Sequence, residues 1–244
     1  MRRFGLIGKT LTHSFSKTYF SKKFEQEGIT ECSYQNFELP HIQDIDFLLD
    51  QYPDLQGFNI TIPYKEEILP YLFQQNDIVH AVGACNCVKV IDGKFYGYNT
   101  DVIGFCQSLH PQLKSYHTRA LILGWGGAAK AVAYALTSLG IEYLIVSRKK
   151  TEDIICYEDI DSKLLEQYTL IVNTTPLGMY PKVDEAPEIP YNLLTDKHFL
   201  FDLIYNPEQT RFLQLGSAQK AQIANGFDML IGQAEESWRI WNAL

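Results

Sequence analysis

The sequence predicts an α/β protein made of two units, each a sheet covered by helices. Three observations carry this reading. Short apolar runs of strand length alternate with helical segments, the pattern of parallel strands joined by covering helices. A strand, a glycine turn and an Ala-rich helix follow one another directly over residues 120–139. The length, 244 residues, lies between one and two ordinary domains.

The elements follow in chain order. Residues 4–7 form a short buried strand, and residues 16–27 a helix ended by Gly28. Residues 33–39 alternate as a strand does, and residues 41–51 read as helix. Residues 55–62 form a strand stopped by Pro63, which suits the first position of a short helix with Glu66 and Glu67 near its positive end. Residues 87–91 and 94–98 flank Asp92-Gly93, a strong hairpin signal. A two-residue turn there sets the register: Asn86 faces Asn99, and Asp101 falls beside Ala84 and Cys85 if the pairing continues that far. The units divide near residues 101–104. Beyond, residues 120–123 are an apolar strand, and residues 127–139 a helix closed by Gly140. Residues 143–146, 170–173, 199–203 and 222–225 are further apolar runs. Phe227, Leu230, Ile231, Ala234, Trp238 and Trp241 recur at helical spacing in the last segment.

Composition narrows the function. Hydrophobic residues are 46% and charged residues 20%, as in a folded globular protein. The net charge of −8 argues against nucleic-acid binding, which calls for a basic face. The charge is uneven, however. Between residues 102 and 150 stand Lys114, Arg119, Lys130, Arg148, Lys149 and Lys150 against Glu142 alone, a local +5. Such an island would favour a small anionic ligand. Cys32, Cys85, Cys87, Cys106 and Cys156 have neither framework nor zinc spacing and read as reduced thiols, which suits the cytoplasm. The histidines show no metal-binding spacing, and the sequence offers neither a signal peptide nor a membrane span, so no metal and no membrane partner are expected.

Gly124-Trp125-Gly126-Gly127-Ala128-Ala129 follows an apolar strand and opens a helix, the required context of the dinucleotide fingerprint. The first glycine permits the turn, the second lets backbone approach a pyrophosphate, and Ala129 permits close helix–sheet packing. The second strand of this unit ends Ser147-Arg148-Lys149-Lys150, with no acid before Glu152. A carboxylate there would hold a ribose 2′-hydroxyl, whereas a guanidinium pairs with a 2′-phosphate. NADP(H) is therefore expected over NAD(H).

In the first hundred residues, polar side chains gather where strands end. Ser14 and Ser16 precede a helix, and Asn59 and Thr61 share a strand face. Lys65 stands just inside the short helix, and the hairpin register brings Asn86 and Asp101 together. A lysine and an aspartate converging on a hydroxyl-rich pocket could move a proton as hydride moves.

Taken jointly, these motifs resemble those of shikimate dehydrogenases. His13-Ser14-Phe15-Ser16, the run Asn59 to Glu66, Gly83-Ala84-Cys85-Asn86, Gly97-Tyr98-Asn99-Thr100-Asp101, the glycine loop and the run Asp228 to Ala234 resemble that family's segments, in its order. Lys17, Cys87, Asp228-Met229 and Ser147 depart from the family's usual residues. The resemblance implies that Lys65 and Asp101 are the catalytic pair, and that Ser14, Ser16, Asn59, Thr61, Asn86, Tyr205 and Gln233 hold the substrate, with Asp101 also accepting from a substrate hydroxyl. It implies that Gly124, Trp125, Gly126, Gly127, Ala128, Ser147, Arg148, Lys149, Leu203 and Gly226 hold NADP(H). The fold implied is an α/β substrate domain (1–101 with 227–244) and a Rossmann-type doubly wound dinucleotide domain (102–226), with a cleft between them. The reaction implied is reversible reduction of 3-dehydroshikimate to shikimate by a monomer or homodimer. Two alternatives stay open: a quinate/shikimate dehydrogenase of broader cofactor use, and a non-catalytic ligand-sensing relative.

Overall fold

In the computed structural model, which describes residues 1–11 and 14–243, contacts group Met1–Thr100 with Ala234–Leu244 and set Asp101–Gln233 apart. Thr12, His13 and Leu244 lie outside the described residues, and with them the histidine of the His13–Ser16 motif.

The first unit begins with Arg2–Gly8 (β1), Phe15–Gln26 (α1) and Cys32–Glu38 (β2). α1 forms because Ser16, Phe20 and Phe24 recur every fourth residue and are all buried. Leu48–Gln51 (α2), Leu55–Ile60 (β3), Tyr64–Glu67 (α3), Gln74–Gln75 (β4) and Asp77–Val82 (α4) follow. Cys87–Ile91 (β5) and Lys94–Tyr98 (β6) complete a sheet of order β2-β1-β3-β5-β6-β4. β1 runs parallel to β2 and β3, while β5 pairs antiparallel with both β3 and β6. At the hairpin, Asp92 and Gly93 take φ of 50° and 71°, the left-handed pair that a two-residue turn requires. Cys87 then pairs with Tyr98, the predicted register.

Two sequence expectations need correction. The helix expected over residues 41–51 is a 3₁₀ segment, Ile42–Phe47, running into the single turn of α2. Buried Ile42, Ile45 and Leu48 are spaced by three, which matches the 3₁₀ period rather than 3.6. β3 stops at Ile60 and not at residue 62. The Thr61 N–H still reaches the Ile7 carbonyl at 2.9 Å, but Pro63 has no N–H to carry the ladder on.

The second unit takes up the chain within Thr100–Leu109 (α5). It continues through Arg119–Leu123 (β7), Gly127–Ser138 (α6), Glu142–Val146 (β8), Ile154–Ile155 (β9) and Ser162–Gln167 (α7). Leu170–Asn173 (β10), Phe199–Asp202 (β11), Arg211–Ala218 (α8) and Gln222–Ala224 (β12) complete it. The strand order is β12-β11-β10-β7-β8-β9, and every pairing is parallel. Counted from β7, this is the doubly wound order 3-2-1-4-5-6 read from the other edge. It reverses between β7 and β10, so ligands belong at the carboxyl ends of those strands.

The last helix, Phe227–Asn242 (α9), contributes to both units, the division falling between Gln233 and Ala234 and not at its start. Its C-terminal half covers the first sheet. Trp241 stacks on Phe4 with centroids 4.9 Å apart and donates its indole N–H to the Val88 carbonyl at 2.9 Å. The space a side chain would need at Gly57 is filled by that indole, so glycine is required there. Its N-terminal half crosses α5 closely: a Cβ on Gly104 would stand 2.5 Å from the Met229 carbonyl oxygen and 2.8 Å from the Gln233 nitrogen. Among the described residues, no helix is long and apolar enough to cross a membrane.

Candidate active site

In the first unit, a chain of buried polar side chains links the strand ends to the start of α5. The Tyr34 hydroxyl donates to Asn59 Oδ1 at 3.0 Å, and Asn59 Nδ2 donates to the Asn86 carbonyl at 3.2 Å and to Ser237 Oγ at 2.8 Å. Asn86 Oδ1 accepts the Thr100 N–H at 2.6 Å, and Asn86 Nδ2 donates to Thr100 Oγ1 at 3.0 Å. Ser16 bonds the Tyr34 hydroxyl from the α1 side. Burial pushes the Tyr34 phenol well above its ordinary value, so it remains a donor.

This chain explains the placement of the expected residues. Ser14 caps α1, accepting the Lys17 N–H at 3.2 Å, and buried Ser16 follows two residues on, in the first turn. The strand β3 ends with buried Asn59 and half-buried Thr61 beyond it. Lys65 is half-buried on α3, and its carbonyl accepts the Cys85 N–H at 2.8 Å. The next residue, Asn86, grips Thr100, and Asp101 follows Thr100 in the first turn of α5, buried. Gln233 packs its backbone against Gly104, one helical turn on from Asp101.

In the second unit, the glycine turn sits at the end of β7. Gly124 takes φ of 97° and donates to the Val146 carbonyl at 2.8 Å. A Cβ there would meet Thr175 Cγ2 at 2.9 Å and Thr174 Oγ1 at 3.0 Å. Gly126 is different. It caps α6 with no side-chain bond, and a Cβ there would meet no atom within 4 Å. Packing thus explains Gly124 but not Gly126, whose open surroundings lie at the N-terminus of α6, the kind of place that suits a phosphate. Ala129 is fully buried, as its packing role requires, while Trp125 is exposed.

The positive island is partly neutralised, by its own Glu142 and by Asp159 beyond its edge. Arg119 pairs with Glu142 at 2.8 Å, and Lys150 with Asp159 at 2.9 Å. Arg148 and Lys149 remain exposed after Ser147, whose N–H ties β8 to the Ile155 carbonyl at 2.9 Å. Among the described residues, no cluster of histidine, cysteine and acidic groups could hold a metal ion.

Four further polar residues stand at or beyond the carboxyl ends of β10 and β11. Thr174 Oγ1 donates to the Leu123 carbonyl at 2.7 Å, tying β10 to β7. Asn173 Nδ2 donates to Asp202 Oδ1 at 3.0 Å, and Thr210 donates to Asp202 Oδ2 at 2.6 Å. Burial raises the Asp202 carboxyl to about 6. Leu203 and Gly226 meet at the ends of β11 and β12, so closely that a Cβ on Gly226 would overlap the Leu203 carbonyl. Tyr205 is half-buried just beyond.

A family model described as the shikimate dehydrogenase substrate binding domain matches residues 6–88. A curated NADP(+) shikimate dehydrogenase of Clostridium beijerinckii is 37% identical, covering 99% of this chain and 92% of its own. The chain belongs to the shikimate dehydrogenase family. The solved shikimate dehydrogenase of Thermus thermophilus, in complex with NADP(H) and shikimate, matches with a TM-score of 0.88 at 29% identity, over 100% of this chain and 94% of that one. A quinate dehydrogenase of Corynebacterium glutamicum, in complex with NAD, matches at 0.84 and 27%, over 100% and 94%.

Sequence reasoning missed Tyr34, Thr100 and Ser237, and it missed the Asn173–Asp202–Thr210 cluster. For that cluster a signal existed: polar residues standing at the carboxyl ends of two apolar runs, where this fold binds ligands.

Proposed function

We propose that the chain catalyses the reversible NADPH-dependent reduction of 3-dehydroshikimate to shikimate. Likeness along the whole length to NADP(+) shikimate dehydrogenases carries this reading, with Lys65, Asn86 and Asp101 retained in their motifs. The second unit suits the cofactor: a vacant space beside Gly126 at the start of α6, and exposed Arg148 and Lys149 after β8. Gly124, Trp125, Gly126, Gly127 and Ala128 would hold the pyrophosphate. Ser147, Arg148 and Lys149 would take the 2′-phosphate, with Leu203 and Gly226 farther along the strand ends.

Bound NADPH supplies the hydride. The Lys65 ammonium gives a proton to the developing alkoxide oxygen and recovers it in the oxidation direction. The Asp101 carboxylate orients Lys65 and accepts from a substrate hydroxyl. Ser14, Ser16, Thr61, Asn86, Tyr205 and Gln233 bind the substrate's hydroxyl and carboxylate groups. Asn59, whose amide serves Tyr34, Asn86 and Ser237, supports the site from behind.

The test is an oxidation assay with shikimate or quinate as substrate and NADP⁺ or NAD⁺ as acceptor. Turnover of shikimate with NADP⁺ as the preferred acceptor is expected. Preference for quinate and NAD⁺ would favour the reading of a quinate dehydrogenase. Binding of shikimate without turnover would make the chain a sensor.

A further inference from the structure

Ser237 lies on α9, one turn beyond Gln233 and far in sequence from Asn59, Asn86 and Asp101, yet it is fully buried among the groups that support them. Its Oγ accepts from Asn59 Nδ2 at 2.8 Å and lies 3.2 Å from Thr100 Oγ1. It also bonds the Cys87 thiol, which burial pushes far above its ordinary value and so keeps protonated. One hydroxyl on the last helix thus joins β3, the first residue of β5 and the start of α5.

The geometry points to Ser237 as a positioning residue for the substrate site, on the reading that Asn86 and Asp101 engage substrate. A consistent set of proton directions runs through it. Asn59 donates to Ser237, Ser237 donates to Thr100, and the Thr100 hydroxyl lies 3.3 Å from Asn86 Oδ1 as a donor. Thr100 is held by Ser237 on one side and by the Asn86 side chain on the other. Asp101 is the next residue, so the setting of Thr100 fixes where the first turn of α5 starts and how its carboxylate is carried. Asn86 is fixed by the same bonds. Networks of this kind couple, because loss of one member leaves buried polar groups of its neighbours without a partner.

Ser237→Ala removes the hydroxyl while keeping a residue that fits the space. The expected result is a fall of about tenfold in kcat/KM for shikimate, with KM for NADP⁺ unchanged. Thr100→Val should cost at least as much, and the double variant should fall no further than the worse single one. Phe24→Leu serves as a stability control, since it removes the ring of α1 that packs on Trp238 of the same last helix, 5.2 Å between centroids, and that ring makes no hydrogen bond to this network. It should lower Tm with kcat/KM unchanged. A Ser237→Ala enzyme that loses Tm but keeps wild-type kcat/KM would overturn the proposal, as would additive effects of Ser237→Ala and Thr100→Val. A wild-type chain that oxidises no shikimate would overturn the functional reading and this inference together, which distinguishes the two failures.

Discussion

The side chain of Asn86 takes over the start of α5: its Oδ1 accepts the Thr100 N–H at 2.6 Å, and its Nδ2 donates to Thr100 Oγ1. A residue fifteen positions before the catalytic candidate Asp101 therefore fixes the helix that carries it. Asn86→Ala should leave the buried Thr100 N–H unpaired and cost about 1–3 kcal/mol of stability. Asn86→Asp keeps the acceptor for that N–H but loses the donor to Thr100 Oγ1, so it should recover part of the stability and little of the activity. Urea unfolding read beside kcat/KM separates these effects. Equal stability of Asn86→Ala and wild type would contradict the capping role.

Lys65→Ala should lower kcat by about 10²–10⁴-fold, the usual worth of a general acid, with KM for NADP⁺ unchanged. Asp101→Asn should lower both kcat and shikimate affinity, because that carboxylate is assigned to the lysine and to a substrate hydroxyl. Steady-state kinetics in the oxidation direction decides both. Near-wild-type turnover of Lys65→Ala would remove it from proton transfer.

Cofactor choice should rest on Arg148 more than on the island as a whole. Arg148→Ala should weaken NADPH binding about tenfold, corresponding to about 1.4 kcal/mol, and leave NADH binding unchanged. Lys150→Ala should change neither, because Lys150 is engaged by Asp159. Titration of each variant with both reduced cofactors would show it, and equal losses for NADPH and NADH would exclude a 2′-phosphate role.

Much of this was legible beforehand because it is local. The Asp92-Gly93 turn set the register that brought Asn86 to Thr100, and the glycine loop announced the dinucleotide unit. What escaped was long-range. Asn59 and Ser237 are 178 positions apart, and no local pattern marks a serine on an amphipathic helix as a partner of a strand asparagine. The charge island was overread for the same reason: Asp159, which engages Lys150, stands just beyond its edge. The 3₁₀ segment at Ile42–Phe47 was misjudged because three buried residues spaced by three also fit a helical template.

The two loop glycines should separate folding from binding. Gly124→Ala forces a side chain to φ of 97° and against Thr175, and should cost about 1–3 kcal/mol of stability. Gly126→Ala meets open space at an ordinary φ of −127°, and should change stability by no more than about 0.5 kcal/mol while raising KM for NADP⁺. Thermal melts with and without NADP⁺ test the pair. A Gly126→Ala protein still stabilised normally by NADP⁺ would place the pyrophosphate elsewhere.

Asp202 makes a pH prediction. Burial raises its carboxyl from 3.8 in the unfolded chain to about 6 in the native protein, despite bonds from Thr210, Ile204 and Asn173 that lower it. The native state therefore holds this proton more tightly than the unfolded chain. Stability should fall as pH rises from about 4 through about 6, with a total cost of roughly 3 kcal/mol above that window. Buried His117 and His198 act the other way. Burial lowers both, so native stability falls as pH drops below about 6.5, where the unfolded imidazoles bind protons first. Wild-type stability is the sum of these opposed slopes, and Asp202→Asn isolates one of them. Its amide can donate to Thr210 Oγ1, reversing that bond while the remaining oxygen keeps its donors. Relative to wild type, Asp202→Asn should gain stability by roughly 3 kcal/mol between pH 4 and pH 7. Urea unfolding of both proteins across that range measures the difference, and a gap that stays constant with pH would show that folding does not raise the Asp202 carboxyl.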